Sequence, residues 1–308
     1  MKNYVRVMLG RKSAHAAECF DSGFIGADFG ITENLAGRLP DEWRSFNREF
    51  IPVFLAAHPD KSRVAAGLSC GFLWTICKGI KLGDWVLCPD GAGSYRVGEV
   101  IGDYEYAPGK TLPHRRRVRW LDRSISRSDM SEALRNSTGA IGTVANVAQY
   151  GEEIERLMSG AATAPSSEDG NPVEDVATFV LEKHLENFLV ENWRHTELGS
   201  QYTILEEEGE LVGQQYPTDT GPIDILAVSK DKKRLLVVEL KKGRASDAVV
   251  GQIARYMGYV QEELAEDGQI VEGVIIALED DTRIRRALTV MRGVRFYRYQ
   301  ISFKLLGA

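Results

Sequence analysis

Three side chains in the second half of this 308-residue chain have the types and spacing to do chemistry: Asp224, Glu239 and Lys241. Asp224 lies in the apolar run Pro222-Ile223-Asp224-Ile225-Leu226, and the other two lie in Leu236-Val237-Val238-Glu239-Leu240-Lys241-Lys242. Both runs read as β-strands rich in Val, Ile and Leu, joined through the charged turn Lys230-Asp231-Lys232-Lys233. Side chains alternate faces along a strand, so Glu239 and Lys241 point one way while Val238 and Leu240 point the other, into a core. A carboxylate on each of two paired strands, with a lysine two residues past the second, can hold a divalent metal beside a water. Hard cations such as Mg²⁺ favour carboxylate oxygens and keep several waters. Such an ion stabilises charge on a phosphoryl oxygen and lowers the pKa of its water. Glu-x-Lys alternation is also how the solvated edge of a half-exposed strand looks, so the elements around it must decide.

Those elements have a definite order. Between Asp175 and Trp193, the residues Val176, Phe179, Val180, Leu185, Phe188, Leu189 and Trp193 recur at spacings of three and four, which predicts an amphipathic helix. Tyr202 to Leu205 reads as a first strand, ahead of the two already named. Ser246 is a candidate cap for a helix running through Val249, Ile253, Tyr256, Met257, Val260 and Leu264. Ile270 to Ala277 reads as a strand, Asp281 to Met291 as a helix and Val294 to Tyr299 as a strand, for an overall order α-β-β-β-α-β-α-β.

Asp224 followed by Glu239-Leu240-Lys241 resembles the PD-(D/E)xK nuclease signature. Gln252-Ile253-Ala254-Arg255-Tyr256 resembles the Gln-x-x-x-Tyr motif of RecB-like members, and residues four apart share a helix face. Glu186, in Leu185-Glu186-Asn187-Phe188-Leu189, is similar to the helix carboxylate of many members. One departure is local: Ile223 rather than proline stands directly before Asp224, with Pro222 one residue earlier. From Val173 to Ala308 the chain most resembles the C-terminal domain of NucS/EndoMS-type endonucleases. The resemblance implies an α/β restriction-endonuclease-like domain with an αβββαβ core. It also implies Glu186, Asp224 and Glu239 as ligands for Mg²⁺ or Mn²⁺, and Asp224, Glu239, Lys241, Gln252 and Tyr256 as the catalytic set, leaving a 5′-phosphate product.

The length suits two domains. The expected boundaries are 1–157, a linker at 158–172 and 173–308, because the stretch from Ser159 to Pro172 is small, polar and holds two prolines. Residues 1–157 carry 21 Lys and Arg against 19 Asp and Glu, and the remainder 17 against 25. Phosphate attraction is therefore expected from local patches and from the first half. No apolar run approaches the ~20 residues of a membrane helix, and the start of the chain runs straight into a strand-like pattern without a signal peptide. Cys19, Cys70, Cys77 and Cys88 lack zinc spacing and read as reduced, buried thiols of a cytoplasmic protein.

The first half mixes short strands with helices and predicts an α+β domain, a small β-barrel with a few helices. Tyr4 to Leu9, Gly23 to Gly30, Tyr95 to Ile101 and Arg115 to Trp120 read as strands, Ile80 to Pro89 as a turn into a strand, Glu42 to Ala57 as a helix, and Asp129 with Glu132 as a capping box. Val64 to Cys77 is mixed, apolar with small residues and Trp74. Lys81-Leu82-Gly83-Asp84-Trp85-Val86, followed by Tyr95-Arg96-Val97-Gly98-Glu99-Val100, resembles PUA-like and EVE-like domains, which implies a pocket for a base. A base needs aromatic faces and polar edges; Trp43, Trp74, Trp85, Tyr104 and Tyr106 are candidate faces, with Asp28 or Asp84 as the polar partner, although any one of these aromatics can equally be core. Arg115, Arg117 and Arg119 share one strand face in the most basic stretch of the chain, and form either a phosphate-tracking stripe or a solvated face.

Together these features predict a metal-dependent DNA endonuclease whose N-terminal domain selects the target, such as a modified base in modification-dependent restriction. Three other readings stay open: a repair nuclease for mismatched, branched or single-stranded DNA, a nuclease switched on by a small nucleotide, and a non-catalytic DNA-binding protein. A homodimer is expected because cutting two strands favours two sites.

Overall fold

The computed structural model describes residues 2–139, 142–160, 185–206, 211–246, 248–280 and 282–300. It divides into two compact units, Met1–Ser166 and Ser167–Ala308.

The first unit is built on strands β1 (Tyr4–Val7), β2 (Phe24–Ala27), β3 (Trp85–Pro89), β4 (Ser94–Tyr106), β5 (His114–Ser126) and β6 (Val144–Asn146). Its helices are α1 (Ala16–Ser22), α2 (Trp43–Ala57), α3 (Arg63–Trp74), α4 (Glu132–Thr138) and α5 (Gly151–Ser159). The sheet order is β2-β5-β4-β3-β1-β6, an open path rather than the expected small barrel. Both faces of the sheet carry apolar side chains. Val5, Val86, Val100 and Val118 join Phe46, Phe50, Cys70 and Leu73 of α2 and α3 in one cluster. Tyr4, Leu87, Val97 and Ile125 join Leu134 and Ile154 of α4 and α5 in another. A sheet covered by helices on both sides has no interior of its own to close around.

Helix α3 falls in the mixed apolar stretch for which the sequence alone predicts no element. It is buried on several sides through Val64, Ala66, Gly67, Cys70 and Leu73, and Asn47 Nδ2 of α2 reaches the Gly67 carbonyl at 2.8 Å. A helix buried all round loses its amphipathic signature. The cap of α4 is Ser131, whose hydroxyl accepts from the Leu134 amide at 3.1 Å, rather than Asp129. All four cysteines are buried and free, and burial pushes the Cys70 thiol up to about 12.

His114, fully buried, ties the loop after β2 to the sheet: one ring nitrogen meets the Ile31 carbonyl at 2.6 Å and the other meets the Tyr104 hydroxyl at 2.9 Å. Burial holds this imidazole below its ordinary value of 6.5. The unfolded chain therefore takes up the proton first as pH falls through 6.5, and stability drops there. Melting of the full chain should lose stability below that pH more steeply than melting of His114→Gln; equal slopes would refute this origin.

The second unit contains α6 (185–191), α7 (Glu197–Gln201), β7 (Tyr202–Ile204), β8 (Gln214–Tyr216), β9 (Ile223–Ser229), β10 (Arg234–Arg244), α8 (Ala248–Tyr259), β11 (Ile270–Glu279), α9 (Thr282–Val290) and β12 (Val294–Arg298). Of the helix expected over 175–193, residues 175–184 lie outside the described residues, as do 161–172 of the expected linker and Asp281. Ser246 offers its backbone carbonyl to the Val249 amide at 3.2 Å. The sheet runs β12-β11-β10-β9-β7 and is mixed: β10, β11 and β12 are parallel, while β9 is antiparallel to β10. Strand β8 was not expected. It is only Gln-Gln-Tyr, too short and polar to show a period, and it pairs with the same edge of β9 that β7 uses further along.

Central strand β10 is buried from Leu235 to Leu240. One of its faces packs Leu236, Val238 and Leu240 with Leu189, Trp193, Leu198, Tyr202 and Ile204. The other face takes α8: a side chain at Gly273, which is level with Val237, would run into Met257 and Ile253. Glu239 and Lys241 alternate onto this α8 side.

Candidate active site

The β9–β10 ladder pairs Val238 with Ile225, which brings Asp224 level with Glu239 on one face. Asp224 Oδ2 accepts the Leu240 amide hydrogen at 2.8 Å, fixing the carboxylate against β10. Glu239 is 1% exposed, a carboxylate set in an otherwise apolar strand. Lys241 Nζ lies 2.8 Å from Glu239 Oε1, with its own side chain 29% exposed. The face alternation expected from the sequence thus brings the two carboxylates and the ammonium together.

Helix α8 supplies the next group. Tyr256 is buried, and Gln252 Nε2 lies 3.3 Å from its hydroxyl. Burial first, and then the charges of Glu239 and Asp224, raise the Tyr256 phenol above its ordinary value. The approach needs Gly221: its φ is 123°, and a Cβ there would stand 3.0 Å from the Tyr256 hydroxyl. Gly221, three residues ahead of Asp224, therefore makes room for the tyrosine.

Glu186 of α6 is 4% exposed and is held by side chains that the sequence reading missed. Gln214 Nε2 donates to Glu186 Oε1 at 2.6 Å and to Asn187 Oδ1 at 3.0 Å. Gln215 Nε2 donates to Glu186 Oε2 at 2.5 Å and to Asp224 Oδ1 at 3.1 Å. Nothing in a polar Gln-Gln pair marks it as part of a site until β8 is laid beside Asp224.

Electrostatics sets the character of the site. Burial, then Glu239, then Glu186 push the Asp224 carboxyl well above the ordinary carboxylate range, against the pull of the Leu240 amide and Lys241. Clustered acidic groups out of water repel one another, and a cation relieves that repulsion. Among the described residues no three His, Cys, Asp or Glu side chains form a ready-made metal cage; the Gln215 amide bridges Glu186 and Asp224, and the Lys241 ammonium lies on Glu239. Mg²⁺ does not require such a cage, because it is held by one or two carboxylates and keeps its waters. The donor chemistry of Asp224 and Glu239, two carboxylates side by side, is of the kind that could hold a hard divalent cation.

The first-half candidates are placed differently. Trp74 is packed against the first core, and its indole donates to the Pro40 carbonyl at 2.9 Å. The Tyr104 hydroxyl sits in the His114 network and accepts the Leu35 amide hydrogen at 3.1 Å. Asp84 accepts from the amides of Asn3 and Lys81, closing the turn before β3, and Asp28 accepts the Gly30 amide hydrogen. Trp85 is half-buried with the Lys2 ammonium 4.0 Å above its ring. Arg115, Arg117 and Arg119 do share the outer face of β5, alternating with buried His114, Arg116 and Val118. Their charge is met locally, however: Arg117 pairs with Glu105 at 2.7 Å, Arg119 with Glu99 at 2.5 Å, and Arg115 stacks 3.9 Å over Phe24. Antiparallel pairing lines the carboxylates of β4 up with the arginines of β5, so the stripe is a charge ladder rather than a bare basic track.

Residues 182–302 match the family model described as the Endonuclease NucS C-terminal domain, and residues 6–148 match one described as a domain of unknown function, DUF8426. The PUA-like and EVE-like resemblance of the first half rests on its Gly-Asp turn and Val-Gly strand alone. An Endonuclease NucS of Methanocaldococcus jannaschii is 32% identical over 74 residues, covering 24% of this chain and 27% of that protein. An Endonuclease NucS of Pyrococcus abyssi is 29% identical over 104 residues, 34% of this chain and 36% of that protein. The chain thus spans roughly a third of the length of these curated relatives. A solved repair endonuclease from Pyrococcus abyssi covers 69% of this chain and 66% of its own at 18% identity, with a TM-score of 0.31. An EndoMS–dsDNA complex covers 68% and 62% at 16% identity, with a TM-score of 0.32. The stretch that holds Glu186, Asp224, Glu239, Lys241, Gln252 and Tyr256 is a NucS-like C-terminal domain.

Proposed function

We propose that this protein is a metal-dependent DNA endonuclease of the PD-(D/E)xK type, acting on mismatched or branched duplex as a repair enzyme. The observation that carries the reading is the meeting of Asp224, Glu239 and Lys241 on the α8 face of the sheet. The NucS match over this same stretch favours repair over restriction. When bound, Mg²⁺ or Mn²⁺ supplies charge neutralisation at the scissile phosphate and a water of lowered pKa.

The chain's own residues do the rest. Asp224 and Glu239 hold the cation, and Glu186 stands behind Asp224 through the Gln215 bridge. Lys241 Nζ, partly exposed and two residues past a buried carboxylate, is the group that orients the attacking water and shares its proton. Gln252 and Tyr256 close the site from α8 and keep the hydroxyl over the carboxylates.

The test is cleavage by the full chain, with Mg²⁺ or Mn²⁺, of matched, mismatched, flapped, single-stranded and base-modified substrates. Cutting confined to mismatched or branched DNA is expected. Cutting confined to modified DNA would move the reading to modification-dependent restriction, and a requirement for added nucleotide would make the first unit a sensor. No cleavage of any substrate would leave a DNA-binding module.

A further inference from the structure

The clamp on Glu186 is made of two residues that a regular strand would send to opposite faces. β8 pairs with β9 so that Gln214 stands against Ile225 and Tyr216 against Ile223, which puts Gln215 level with Asp224. Neighbouring side chains on a strand diverge, yet both glutamine amides reach the one carboxylate, Gln214 to Oε1 and Gln215 to Oε2. The backbone makes this possible at Gln215, whose φ is 51°, in the left-handed region that a residue with a Cβ enters only at an energetic cost. That conformation aims the amide so that its single nitrogen donates to two carboxylates on two different elements, Glu186 of α6 and Asp224 of β9. Glu186 is 4% exposed, so the bridge lies out of water, where orientation is held.

We propose that Gln215 is a positioning residue of the active site: its amide sets the distance and orientation between Glu186 and Asp224, so that the acidic pair is preset for a divalent cation. The inference rests on the nuclease reading above. Partners that orient metal ligands from behind commonly change metal affinity or activity 10–100-fold when removed. A merely structural role, a stitch of β8 onto α6, would instead lower the melting temperature and leave metal affinity alone.

Two variants of the full chain separate these. Gln215→Gly removes the amide and adopts the positive φ freely, while Gln215→Met keeps the side-chain length without donors. Mn²⁺ binding is read by titration calorimetry without DNA, melting temperature is read without metal, and cleavage is read against Mn²⁺ concentration. Gln215→Gly should melt at or above the parent temperature and bind Mn²⁺ about tenfold or more weakly, with half-maximal cleavage shifted to higher Mn²⁺ by the same factor. Gln215→Met should weaken Mn²⁺ likewise, and it decides the matter if the glycine variant does not fold. Parent-like Mn²⁺ affinity in the folded variants, or loss of fold in both, overturns the proposal. A parent that binds no Mn²⁺ overturns the nuclease reading and this inference together. A parent whose Mn²⁺ binding is lost in Asp224→Ala but kept in both Gln215 variants overturns this inference alone.

Discussion

Cleavage by Lys241→Ala and by Asp224→Ala is expected to fall at least about 10³-fold, within the range set by losing a positioned proton-transfer group or a metal ligand. The two losses should differ in kind. Asp224 accepts the Leu240 amide hydrogen and faces Glu239, so its removal takes away a ligand and should abolish metal binding along with cutting. Lys241 reaches the site by its Nζ, 2.8 Å from Glu239 Oε1, and its removal leaves both carboxylates in place. Lys241→Ala should therefore bind Mn²⁺ and DNA and fail in the chemical step. Single-turnover cleavage and filter binding on the same substrate measure the two separately. Full cleavage by either variant would end the assignment of these residues.

The second large effect is on stability, and it runs the other way. Asp224 is held above its ordinary value by burial and by two neighbouring carboxylates, so the metal-free folded chain keeps the proton that the unfolded chain releases. Stability contributed by this group is then lost as pH rises above the ordinary value of 3.8, until the raised folded value is passed. Asp224→Asn keeps an acceptor for the Leu240 amide and removes the charge, so without metal it should be more stable than the parent near neutral pH, by about 1–4 kcal/mol, the scale on which replacing buried charge has stabilised other proteins. The same variant should cut no DNA. Mg²⁺ should raise the parent's melting temperature more at pH 8 than at pH 5, and should not raise that of Asp224→Asn. A variant less stable than the parent at neutral pH, or a metal effect independent of pH, would show that the carboxylates are not the strained element.

The outline of the site can be read from the chain because its charged groups break the local pattern. An acidic residue inside Val- and Leu-rich runs goes against the apolar rule for buried strands, and such local contradictions gather at functional positions. Asp224 and Glu239 stand out for that reason, and the two-residue alternation puts Lys241 on the same face. Gln252 and Tyr256 follow from the helical period. In the first half the same reasoning reached less far. Trp74, Tyr104, Asp28 and Asp84 carry polar atoms that bond to backbone groups near them, and no periodicity distinguishes an aromatic that lines a pocket from one that caps a core.

The chain by itself showed Asp224 and Glu239 on neighbouring strands with Lys241 on the face of Glu239, and Gln252 and Tyr256 on one helix, because face alternation and helical spacing act over a few neighbouring residues. Tertiary structure alone decided three things that depend on residues distant in sequence. Helices on both faces leave the first sheet open rather than closed into a barrel. Carboxylates of β4 answer the arginines of β5 across the ladder. A three-residue strand, bent at Gln215, joins Glu186 to Asp224. Each is a contact between segments whose individual sequences are unremarkable, and only packing brings their atoms within reach.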